Sequence, residues 1–170
     1  MEGQLTHSQT SRAVVSFCEE MRATFTGVLP EISVYFEDTE QMSKAIELLI
    51  VNSDLSASTM QREGSSMREV VAGRKTPREL AQMVRSGRHL LLKKTFGLPD
   101  IGIGVLEETI RIDFRPGPEW SDAQISRLVE SLKVLRGKVS VSDICLDEMS
   151  EHFSHNGTMG FQELLDGDDE

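Results

Sequence analysis

At 170 residues the chain is long enough for one domain with a real core and short for two. Its 38% hydrophobic and 27% charged residues are those of an ordinary soluble globular protein, and seven Phe, one Tyr and one Trp leave little for stacking on bases or sugars. A net charge of −10 and a pI near 4.9 argue against sequence-independent binding of DNA or RNA, because phosphate neutralisation needs a basic surface.

The first helix is expected from about Ser11 to Thr26, with Val14, Cys18, Met21 and Phe25 on one face. Gly27 and Pro30 end it, and the β-branched and aromatic run from Ile32 to Phe36 follows as a strand. Asp38 is a good N-cap, with Gln41 three residues on; Met42, Ala45, Ile46, Leu49 and Ile50 then form a core-facing helical stripe. From Asn52 to Lys75 the chain is rich in Ser, Gly and charge and reads as a mobile polar loop with a helical turn or two around Met67, Val70 and Val71. Thr76, Pro77 and Glu79 give a capped helix start, Leu80, Met83 and Val84 point inward, and Gly87 stops the helix.

Leu90 to Phe96 reads as a strand, and Gly97 to Asp100 as a turn. Ile101, Ile103 and Val105 alternate in one phase, Ile110, Ile112 and Phe114 in the other. The change of phase requires either a turn or a bulge at Glu107 and Glu108, and glutamates are poor residues for a two-residue turn. Ser121 caps the next helix against Gln124, with Ile125, Leu128, Val129 and Leu132 buried and Gly137 as its stop. Val139 to Ile144 makes the last strand.

With the first helix and the Thr76 helix set aside, this order approximates β-α-β-β-α-β. It implies an α+β fold: a mostly antiparallel sheet with helices on one face, a ferredoxin-like or related split β-α-β core, and an extra N-terminal helix. Residues 1–146 are expected to form this single domain, with the mobile loop at about 52–75. Residues 147–170 read as an acidic segment, loop-like or partly disordered, with room for a short helix around Phe161 to Leu165. No N-terminal apolar run resembles a signal peptide and no stretch could span a bilayer, so a cytoplasmic location is expected. Cys18 and Cys145 fit reduced, partly packed thiols.

No motif names a reaction. Gly102-Ile103-Gly104 lacks the third glycine and the following helix of a dinucleotide fingerprint, and no G-x-S-x-G occurs. Glu148, His152 and His155 could share a helix face, but the segment has no apolar stripe to fix it, so no metal or other cofactor is expected. Glu107 and Glu108 belong at a solvated turn, unless Glu108 falls in phase with the core. Asp113 shares one strand face with Arg111 and Arg115. His89 reads as a packing or surface histidine. Trp120 stands at a helix entrance, where it can staple the helix start or act as an exposed anchor.

What remains is the layout of charge. Residues 143–170 carry nine acids and no Lys or Arg, whereas residues 62–94 hold nine Lys/Arg against three Glu. Separated poles bear on partners and association rate. A small, acidic, motif-poor α+β domain has the profile of an immunity protein that captures a bacterial toxin with a basic cleft. On this reading the partner is a protein, with neither membrane nor nucleic acid involved. Glu107, Glu108, Asp113, Trp120, Asp147, Glu148 and Glu151 are its expected partner-binding residues, and no catalytic residue is assigned. The alternative is a small enzyme or ligand-binding protein with a pocket under the 52–75 loop.

Overall fold

The computed structural model describes residues 11–25, 27–61, 69–71, 75–147 and 151–167. Among the described residues five α-helices start at side-chain caps, each giving a partner to a backbone N–H that the first turn leaves unpaired. Ser11 caps α1 (Arg12–Arg22) through Val14 N at 3.1 Å, and Asp38 caps α2 (Thr39–Val51) through Gln41 N at 2.9 Å. Thr76 caps α3 (Pro77–Arg85) through Glu79 N, and Ser121 caps α4 (Asp122–Lys138) through Gln124 N. Ser154 caps α5 (His155–Asp166) through Gly157 N at 3.0 Å. Two ends differ from expectation. α1 stops at Arg22 because Ala23 is already extended, and α4 runs through Gly137 to Lys138.

The strands are β1 (Glu31–Phe36), β2 (Thr59–Gln61), β3 (Glu69–Val71), β4 (Leu90–Leu92), β5 (Ile101–Leu106), β6 (Thr109–Phe114) and β7 (Val141–Leu146). Among the described residues they form one sheet, in the order β3-β2-β4-β5-β6-β1-β7, with every neighbouring pair antiparallel. The fold is therefore α+β. β6 lies between β1 and β5, and β1 between β6 and β7. The segment expected as a mobile loop supplies β2 and β3, which lengthen the sheet at the β4 edge; residues 62–68 and 72–74 lie outside the described residues. β3 is the edge strand, and β2 lies between it and β4.

The strand expected from Leu90 to Phe96 ends at Leu92, because Lys94 and Phe96 take left-handed conformations around a short 3-10 turn. That turn is tied to the end of α2 by Phe96 N to Asn52 O (2.9 Å) and by the Ser53 and Thr95 hydroxyls (2.7 Å). The change of phase between β5 and β6 is a two-residue hairpin: Leu106 pairs with Thr109, and Glu107 takes φ +56.

The core lies on one side of the sheet, where Ile32, Val34, Ile103, Ile110, Ile112 and Ile144 meet the helices. α1 buries Ala13, Phe17 and Met21, which is not the stripe expected from Val14 and Cys18. The reason is α5. It crosses α1 so closely that a Cβ at Gly160 would collide with the backbone of Ala13 and Val14. Phe161 and Phe153 then stack against Phe17, with ring centroids 5.5 and 5.6 Å away. Residues 155–166 are thus a core helix, longer than the short one expected around Phe161 to Leu165 in an otherwise loop-like segment. Its last carbonyls meet cations from α4: Arg136 donates to Leu165 O (2.9 Å) and Lys133 to Gly167 O (3.1 Å). Among the described residues no helix is long and apolar enough to cross a membrane.

Candidate functional site

Strand alternation sends every second residue to the side of the sheet away from the core. The register aligns these residues across five strands. Leu91, Gly102, Asp113 and Glu31 form one row, and Gly104, Arg111, Ser33 and Cys145 the next. Leu106, Thr109, Tyr35 and Asp143 form the third. Tyr35 is 42% exposed and Leu106 58%, both in that third row. Thr109 of β6 stands between them in that row, and both border one recess.

Charged side chains fill the rest of this face. Arg111 Nε lies 3.1 Å from Glu31 Oε2, and its Nη2 reaches Asp147 Oδ2 at 3.9 Å. Asp147 N also donates to Glu31 O, which fastens the end of β7 to the start of β1. A recess between Tyr35 and Arg111 is bordered by Glu107, Leu106, Thr109, Cys145 and Asp147. Asp143 turns back to accept from Ile144 N at 2.9 Å, which occupies a donor of the edge strand.

At the other end of the face, His89 Nε2 donates to Asp113 Oδ2 at 2.5 Å. The pair sits directly over Gly102, where a Cβ would overlap both the carboxylate and the imidazole. The hydrogen bond to Asp113 is the main cause that raises the His89 pKa above 6.5. Burial opposes it, and the charges of Asp113 and Glu31 add to it. Both thiols are shifted upward, Cys18 and Cys145 alike chiefly through burial, which makes them poor nucleophiles at neutral pH.

The residues singled out from sequence scatter unevenly over this geometry. Asp113, Asp147 and Glu107 share the open face, and Glu108 is exposed at the tip of the same hairpin. Trp120 is fully buried and corrects the expectation of a partner-binding anchor. Its Nε1 donates to Arg115 O at 2.9 Å and its ring stands edge-on to Phe114. Glu151 is exposed just before α5, and Glu148 lies outside the described residues. His152 donates to Glu20 O at 2.6 Å and packs on Phe25 and Phe153, while His155 is exposed at the start of α5. Among the described residues no three His, Cys, Asp or Glu side chains are grouped to hold a metal ion.

Sequence reasoning passed over Tyr35, Leu106, Glu31 and the partner of His89. The signal was present in the period-two pattern: Ser33 and Tyr35 alternate with the apolar residues of β1, as Arg111 and Asp113 do in β6. No protein-family model, curated protein or solved structure matches the chain.

Proposed function

We propose that this chain is a protein-binding module of the immunity type, acting in the cytoplasm, and that it captures a basic toxin domain with the open face of its sheet. The observation that supports this reading most directly is that exposed Tyr35 and Leu106 share one row and one recess with Glu107, Asp143 and Asp147 close by. Tyrosine combines apolar area with a polar tip and is enriched at binding hot spots. Surrounding carboxylates steer a cationic partner and reject acidic ones. The face offers an anchor, and the net charge of −10 offers long-range attraction.

The test uses the chain as bait in extracts of the cells that encode it, beside a Tyr35→Ala/Leu106→Ala variant. The expected result is one basic protein retained at one-to-one stoichiometry by the wild type and lost by the variant. Truncating a hot-spot residue costs about 2 kcal/mol or more in affinity. With the captured protein purified, its association rate should fall steeply from low to high salt. Equal capture by both baits, or an on-rate indifferent to salt, would overturn the reading.

A further inference from the structure

The His89 end of the open face has a geometry that the Tyr35 end lacks. Beside the Gly102 backbone lies a recess with apolar walls from Leu29, Leu91 and Pro99, and Asp113 is part of its lining. His89 reaches that carboxylate from above Gly102, and both side chains keep some solvent access, 38% for His89 and 17% for Asp113. The recess therefore combines a lining for a methylene stem with a carboxylate that is hydrogen-bonded to a titratable imidazole. Long cationic side chains have that two-part character.

We infer that this recess receives one lysine or arginine side chain of the bound partner, which replaces His89 as the counter-ion of Asp113. The inference rests on the proposed capture of a basic protein and names the chemistry of one contact in it. The other charges nearby do not remove the demand for a cation. Glu31 of β1 is engaged by Arg111, and Lys93 is paired with Asp100 at the entrance to β5. Arg115 and Glu119, both exposed, line the far rim with opposite charges. His89 is the group bonded to Asp113, and an imidazole's charge can be withdrawn near neutral pH.

The exchange has a definite sign. A protonated His89 already neutralises Asp113, so an incoming cation must expel that proton or compete with it. Binding at this recess strengthens as pH rises through the His89 titration, and the bound cation lowers the midpoint of that titration.

The experiment follows the His89 ring protons of the intact chain by NMR across a pH series. N-acetyl-arginine amide is added, with N-acetyl-citrulline amide as its neutral isostere and sodium chloride matching ionic strength. The arginine probe should shift the His89 midpoint downward in proportion to its concentration, and citrulline should leave it in place. A His89 midpoint unaffected by the arginine probe, or shifted equally by citrulline, would overturn the inference. Loss of partner capture on Tyr35→Ala/Leu106→Ala would still stand in that case, which separates failure of this contact from failure of the face as a whole. Asp113→Asn, checked for an unchanged amide spectrum, should abolish the arginine effect.

Discussion

His89 and Asp113 show how one hydrogen bond ties stability to pH. The folded His89 pKa is raised above 6.5, mainly by its bond to Asp113. A group whose pKa rises on folding contributes stability in full below its unfolded value and loses it as pH climbs through the folded value. A His89→Gln variant keeps a donor in place but cannot ionise. Urea unfolding from about pH 5 to about pH 9, where the carboxylates stay charged, should find the variant less stable only at the acid end. The pair is partly solvated and screened, so the deficit should be about 0.5–1 kcal/mol. It should fade once the wild-type imidazole is neutral. Gly102→Ala should erase the same pH dependence by a different route, since its Cβ drives the two partners apart.

At the scale of elements, the informative contrast is between two helical glycines. Gly160 sits where α5 meets the α1 backbone, with Ala13 O in the path of any Cβ. Gly160→Ala should separate the helices and cost several kcal/mol, in the range of about 1–3 kcal/mol or more seen for overpacking. Gly137 sits in α4 with open space around its Cβ position. Gly137→Ala should stabilise by about 0.5–1 kcal/mol, since it relieves only the flexibility of glycine in a helix. Thermal unfolding of the two variants checks both signs. The same glycines explain what could be read from the sequence. Helices with a regular apolar stripe and a good cap, such as α2, α3 and α4, were legible because local signals and tertiary packing agree there. α5 was legible only at its end, around Phe161 to Leu165, since Asn156, Gly157 and Gly160 in its first half carry low helix propensity. They are tolerated because close approach to α1 buries Phe161 and Leu165, a long-range gain that no local window contains. β2 and β3 escaped for a similar reason: three residues each, they are specified by pairing at the sheet edge. The open face was half legible. Alternation identified Asp113 and Arg111 as neighbours, but the register that aligns Tyr35 with Leu106 needs the order of β5, β6 and β1.

For the whole molecule, the acidic end of the chain combines core side chains with charge, which a single truncation would confuse. Phe153, Phe161 and Leu165 are buried, so a chain ending at residue 147 loses part of its core along with its charge. Removing even one buried Phe costs about 3–5 kcal/mol, and the stability of a domain is only about 5–15 kcal/mol. The 1–147 chain should therefore lose cooperative unfolding and bind a hydrophobic dye, whatever its carboxylates do. Ending the chain at Gly167 separates the roles. It removes Asp168, Asp169 and Glu170 and takes the net charge from −10 to −7, while every described core residue is kept. If the terminus acts by steering, this chain should unfold at the wild-type urea midpoint and associate with its captured partner more slowly at low salt. Its dissociation rate should be unchanged, because charges remote from the contact alter encounter and leave residence time to the buried anchor. A faster dissociation would instead assign these three carboxylates to the interface itself, and stopped-flow binding at two ionic strengths distinguishes the outcomes.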